Sequence, residues 1–199
     1  MLTLFHKPQS RSSSILWLLE EIGAPYETTV VTTRGADGFG TRDPANPHPH
    51  GKVPALIHDG RLIFEGSAIA LYLTDLFPEA QLAPHVGDTK RGEYLSWLAY
   101  RPGVMEPAFI ERRFGIKHVF GAMGWAPPAE VEEFLNSHLS QNAYFLGDQF
   151  SAADIMLGLR INSMLQSKHM SRTPVLDAYC AGITSRPAFR RMMEIDAAK

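Results

Sequence analysis

Ser10, Arg11 and Ser12 follow one another where a short β-forming stretch gives way to a helical one. Two hydroxyls and a guanidinium at that place can donate hydrogen bonds to an anion, and the first amides of the helix, which lack intrahelical partners, add to them. Serine is also among the best helix-capping residues, so Ser12 and Ser13 have a purely local reading beside the chemical one. A serine nucleophile is not expected, because there is no Gly-x-Ser-x-Gly elbow and no obvious His and Asp partners accompany the turn. His48 and His50 flank Pro49, but no cysteine, third histidine or suitably spaced carboxylate completes a metal site, so none is expected. Cys180 is the single cysteine; it excludes an intrachain disulfide or a cysteine zinc cluster and reads as a buried helix residue.

The elements that would position these groups begin with β-type alternation over residues 2–6 and a helical period through Ile15, Leu16, Leu18, Leu19 and Ile22, closed by Gly23. Residues 26–33 are rich in β-branched side chains and read as a strand parallel to the first, since a crossover helix separates them. Residues 34–51 are dense in Gly, Pro, Asp and His, which is loop chemistry with at most a short helical turn. Two further strands, 53–57 and 61–64, flank His58-Asp59-Gly60, and the Asp-Gly pair signals a tight hairpin because such turns need positive φ. Helical spacing returns over residues 67–77. The order βαβ then ββα predicts a thioredoxin-like domain over residues 1–78.

Residues 79–87, with Pro84 and Gly87, form the expected linker. Beyond it the pattern is helical at 94–114, 129–139, 152–165, 175–183 and 188–195, which predicts an all-helical domain over residues 88–199. Pro102 and Pro107 should bend or break the first of these helices. Ser151 with Asp154 spells a capping box at the start of another, with Phe150 placed to staple against Ile155.

Nineteen basic and twenty-one acidic residues leave a net charge of -2, so no basic field is available to hold nucleic acid or an anionic membrane. The N-terminal residues lack the form of a signal peptide, and no apolar run approaches the ~20 residues that span a bilayer. A cytoplasmic, membrane-free protein is expected.

Lys7-Pro-Gln-Ser-Arg-Ser-Ser-Ser-Ile-Leu-Trp-Leu-Leu-Glu-Glu, Gly51-Lys-Val-Pro-Ala-Leu, Glu65-Gly-Ser-Ala-Ile and Phe150-Ser-Ala-Ala-Asp-Ile occur in this order over nearly the whole chain. Together they resemble the soluble glutathione S-transferases, the bacterial members most. The resemblance implies a homodimeric, detoxifying enzyme whose first domain binds glutathione as co-substrate and whose second supplies most of the pocket for a hydrophobic electrophile. Glutathione-dependent peroxidase or reductase activity on the same site, and a non-catalytic interaction module of the same fold, are the alternative readings.

The resemblance assigns the thiolate-stabilising donor to the turn, with Ser10 preferred over Arg11 and Ser12. It implies a cis bond at Pro54 that turns the backbone of Val53 toward the cysteinyl unit of glutathione. Lys52 is placed to meet a ligand carboxylate, with His50 at the edge. Glu65 would accept from the ligand's ammonium group while the amides following it, at Gly66 and Ser67, receive the γ-glutamyl carboxylate. Gly66 departs from the family pattern, which has a serine there, and its absent hydroxyl would cost roughly tenfold to a hundredfold in affinity unless Ser67 or water replaces it. Tyr100, Arg101 and Met105 on the first long helix are the candidates for the electrophile pocket, with core packing as the competing reading for Met105 and Phe109.

Overall fold

The computed structural model describes residues 1–35 and 40–197. The 36–39 part of the expected 34–51 loop and residues 198–199 lie outside the described residues.

Four strands, β1 (Leu2–His6), β2 (Tyr26–Val30), β3 (Ala55–His58) and β4 (Arg61–Phe64), form one sheet in the order β2-β1-β3-β4. β1 runs parallel to β2 and antiparallel to β3, and β3 is antiparallel to β4. Leu2, Leu4 and His6 point into the core in strict alternation, as a strand with one covered face requires. Helix α1 (Ser13–Ile22) contributes Ile15, Leu16, Trp17, Leu18 and Leu19 to that core, all with no exposed surface, and α2 (Gly66–Leu76) adds Ile69, Ala70 and Leu73.

Local chemistry explains most boundaries. Gly23, at φ 74°, closes α1 with its N–H on the carbonyl of Leu19 at 2.9 Å. Asp59 and Gly60 both take positive φ, and the register pairs His58 with Arg61, so the hairpin loop has two residues. β2 is shorter than the sequence pattern suggests, because Val31 donates to the last carbonyl of β1, at His6, and the N–H of Thr32 then turns to the Asp43 carboxylate at 2.9 Å. The sheet domain has the thioredoxin-like arrangement.

Packing divides the chain into two compact units, residues 1–80 with 186–199, and residues 81–185. Helix α8 (Pro187–Ala197) therefore belongs with the sheet, although it is last in sequence and the pattern of residues groups it with the helices before it. Its attachments are specific. Arg186 makes a two-pronged pair with Glu21 at 2.6 and 2.8 Å, Arg191 meets Glu20 at 2.8 Å, and Phe189 packs edge-on to Trp17.

The second unit holds α3 (Arg91–Tyr100), α4 (Glu106–Phe114), α5 (Pro128–Gln141), α6 (Ala152–Gln166) and α7 (Pro174–Thr184). Pro102 does not break the first of these. It sits in a π-helical turn, Arg101–Met105, that links α3 to α4, with the N–H of Glu106 reaching the carbonyl of Arg101. The wider turn accommodates a residue that has no N–H to give. α6 starts as expected: the Asp154 carboxylate accepts from the Ser151 N–H and hydroxyl, the Phe145 N–H and the Tyr179 hydroxyl, all within 3.0 Å. Burial outweighs these donors and pushes the Asp154 carboxyl up to about 6. Gly158 is required where α6 meets α7, since a Cβ there would collide with Ile183 and the Tyr179 hydroxyl.

Candidate active site

The sheet register brings the chemical residues to one end. Phe5 lies opposite Ala55, and Ala55 opposite Phe64. The turn that follows β1, the segment that enters β3 and the residues that leave β4 therefore emerge at the same edge: Ser10 to Ser12, His50 to Pro54, and Glu65 to Ser67.

In the turn, Ser10 is half-buried, Arg11 exposed and Ser12 without exposed surface. The Ser10 hydroxyl donates to the Lys7 carbonyl at 2.6 Å and lies 2.8 Å from the Ser12 hydroxyl oxygen, while the Ser12 N–H donates back to Ser10 Oγ at 3.2 Å. These contacts hold Ser10 Oγ at the mouth of the helix. Ser12 precedes α1 but makes no side-chain cap. Its Oγ instead accepts from the Lys7 N–H at 3.1 Å and lies 2.8 Å from His6 Nδ1. Ser13 donates to the Asp196 carboxylate at 3.0 Å rather than capping the helix.

The loop before β3 is pinned from within. Arg42 donates to the carbonyls of His48 and Pro49 at 2.8 and 3.0 Å, and Asn46 bridges the Lys52 carbonyl and the His48 N–H. Gly51, at φ 60°, lies so close to the Arg42 side chain that a Cβ would displace it. His48 is buried, receives the His50 N–H on Nδ1 at 3.1 Å and directs Nε2 toward Glu65 Oε1 at 4.0 Å. Burial holds the His48 pKa below the usual histidine value, against the opposing pull of Glu65. His50 and Lys52 are exposed, and the bond between Val53 and Pro54 is cis.

Glu65 stands at the cap of α2 with φ 69° and ψ 120°, an unusual conformation for a residue with a side chain. Such geometry clusters at ligand clamps. Its carboxylate is exposed beside the helix's first amides, which is the pairing a zwitterionic amino-acid group needs. Among the described residues, no group of three or more His, Cys, Asp or Glu side chains could hold a metal ion.

In the second unit, Tyr100 keeps part of its surface exposed, and burial of the remainder pushes its hydroxyl up to about 12. Arg101 and Met105 are buried; the guanidinium meets Glu106 at 3.1 Å and the Met156 sulfur at 3.7 Å. Phe109 is buried too.

A profile of the family described as "Glutathione S-transferase, N-terminal domain" matches residues 1–75, the stretch that carries the turn, the pinned loop and Glu65. Glutathione S-transferase 3 of Schizosaccharomyces pombe is 27% identical over 218 residues, which cover 96% of this chain and 86% of that protein. The structure of a sphingomonad glutathione S-transferase complexed with glutathione superposes with a TM-score of 0.80 at 28% identity, over 99% of this chain and 100% of the other. Residues 1–75 match the N-terminal domain of glutathione S-transferases, and the chain as a whole is similar to members of that family. The theta class transferase of Xanthomonas axonopodis pv. citri, solved with glutathione bound, is similar as well, with a TM-score of 0.77 at 25% identity over 96% of both chains.

Two residues behind the turn escape a reading of the sequence. His6 Nε2 lies 3.0 Å from Asp196 Oδ1, and both are buried. Ser12, His6 and Asp196 therefore do stand in a row, although no such partners are evident in the sequence. One signal was present, since His6 shares the core face of β1 with Leu2 and Leu4, and a polar group there demands a partner. Nothing local marks Asp196, which reaches the turn from the far end of the chain.

Proposed function

We propose that the enzyme binds glutathione at the edge formed by the turn, the pinned loop and Glu65, stabilises its thiolate with Ser10 and adds it to a hydrophobic electrophile. The observation that carries this reading is the placement of Ser10 Oγ, half-exposed at the start of α1 and oriented by Lys7 and Ser12. A thiol of pKa ~8.5 is mostly protonated at neutral pH, and a hydroxyl donor at a helix N-terminus favours the anion. Ser12 has no surface with which to meet a ligand, so it acts through Ser10. Arg11, being exposed, is the second candidate donor.

Glu65 accepts from the ligand's ammonium group, the amides at Gly66 and Ser67 receive its α-carboxylate, Lys52 and His50 attract the glycyl carboxylate, and Val53 meets the cysteinyl backbone. Of the electrophile-pocket residues, Tyr100 offers accessible surface, while Arg101 and Met105 support it by packing. A homodimer in the cytoplasm, acting in detoxification, is the setting that kinship supports.

Retention on immobilised glutathione tests binding, and turnover of chlorodinitrobenzene tests conjugation. Retention with turnover is expected. Failure of both would favour a non-catalytic module, a reading that Gly66 in place of the family serine favours, and binding with peroxide or disulfide turnover alone would favour the peroxidase or reductase reading.

A further inference from the structure

Behind Ser10 runs a line of groups that thiol activation by a single hydroxyl does not require. Ser10 Oγ is 2.8 Å from Ser12 Oγ, Ser12 Oγ is 2.8 Å from His6 Nδ1, and His6 Nε2 is 3.0 Å from Asp196 Oδ1. Behind the half-buried Ser10 every group is buried, with Ser12 at 0%, His6 at 2% and Asp196 at 6% exposure.

The Ser10 hydroxyl, which donates to the Lys7 carbonyl at 2.6 Å, must turn toward Ser12 Oγ for the line to conduct, and either of the two hydroxyls can be the donor in that link. Burial alone would raise the Asp196 pKa, but donors from His6, the Gln9 N–H and the Ser13 hydroxyl hold it below the usual carboxylate range. Asp196 is therefore an anion 3.0 Å from His6 Nε2, a contact of charge in which the ring nitrogen makes no aligned hydrogen bond, and a ring proton on Nε2 is the tautomer that this charge favours. Nδ1 is left as an acceptor toward Ser12. The Lys7 N–H occupies one lone pair of Ser12 Oγ, and the hydroxyl proton has two acceptors, the Lys7 carbonyl at 3.2 Å and the nearer Nδ1 at 2.8 Å. The Lys7 side chain points elsewhere, with Nζ 3.1 Å from Thr33 Oγ1.

We propose that Ser12, His6 and Asp196 form a buried proton relay that takes up the thiol proton of bound glutathione through Ser10. The proposal rests on the thiol-activation reading above. The S–H bond breaks and its proton passes to Ser10 Oγ, as the Ser10 hydroxyl proton passes to Ser12 Oγ and the Ser12 proton to His6 Nδ1. Both hydroxyls end neutral, and the new Ser10 O–H points at the thiolate. His6 becomes an imidazolium beside the Asp196 carboxylate, so one anion and one cation appear together. Once the thioether has formed, the same path runs in reverse and returns the proton to water. The residue types are those of a serine hydrolase triad, but Ser12 is sealed from solvent and cannot attack a substrate.

The test needs no variant. Glutathione is titrated into the wild-type protein near neutral pH by calorimetry in two buffers of different ionisation enthalpy. Thiolate absorbance is recorded on the same complex, and S-methylglutathione gives the baseline for protons unrelated to sulfur. The relay requires thiolate absorbance with almost no proton released to buffer beyond that baseline. Release of about one proton per thiolate formed would overturn the relay and leave thiol activation standing. A complex without thiolate absorbance would overturn both. As a second arm, Asp196→Asn should raise proton release toward one per thiolate and shift the kcat profile to alkaline pH; an unchanged stoichiometry and profile would count against the relay.

Discussion

Replacing Ser10 with alanine isolates the proposed thiolate donor. Ser12 Oγ keeps the Lys7 N–H and His6 Nδ1, and the Lys7 carbonyl keeps the Ser12 hydroxyl at 3.2 Å, so the loss is confined to the acceptor of the Ser12 N–H. The change in folding stability should be about 1 to 3 kcal/mol, the range for one donor left without its acceptor. A hydrogen bond to a charged group contributes roughly 1.5 to 3 kcal/mol, which corresponds to about one to two pKa units. The helix amides that remain supply ~0.3 to 1 kcal/mol, less than about one unit. If the bound thiol of the wild type titrates near ~6.5 and that of the variant near ~8, the thiolate fraction at pH ~6.5 falls roughly fifteenfold, and the two converge near pH ~9. The assay is the chlorodinitrobenzene rate at saturating glutathione across that pH range, with KM for glutathione measured alongside. The expected result is an alkaline shift of the profile with KM changed little. A uniform loss at every pH, with the midpoint unmoved, would refute the reasoning and pass the role to Arg11 or to backbone amides.

Asp154→Ala removes the acceptor of four donors, two of them backbone amides, and should cost roughly 4 kcal/mol and lower Tm by roughly 10 °C. A thermal melt within about 3 °C of the wild type would contradict that account. Burial alone would raise the Asp196 carboxyl, but His6, Gln9 and Ser13 hold it below its unfolded value of about 3.9; its stabilisation is thus complete above that pH and drains away as pH falls through the lower folded value. In urea unfolding, the stability advantage of the wild type over Asp196→Asn should therefore shrink on acidification below about pH 4, and an advantage that grows there would show the sign to be wrong. Cys180 is buried with its thiol pushed up to about 12, so iodoacetamide at neutral pH should leave the native protein unlabelled and modify it once per chain in denaturant.

Features decided by neighbours in sequence were legible in it. Asp59-Gly60 could make only a tight hairpin, Gly23 closed a helix, and Ser151 with Asp154 spelled a cap, because each device acts within a turn of chain. Local rules failed where a distant group competes for the same atoms. Ser12 looks like a helix cap, yet its hydroxyl is taken by His6 and its neighbour Ser13 by Asp196. The end of β2 depends on Asp43, and the docking of α8 depends on Glu20, Glu21 and Trp17. Arg101 and Met105 show a third kind of limit: a period of apolar residues marks a helix face, but not whether that face meets a ligand or the core, and here both residues are buried.

The ionisation of bound glutathione is the quantity on which the functional account turns. Ultraviolet thiolate absorbance of the wild-type complex, followed against pH, reads it directly. The account predicts a saturable complex whose thiol titrates about one to two units below the free value of ~8.5. A complex that titrates like glutathione in water, or no complex at millimolar ligand, would contradict it.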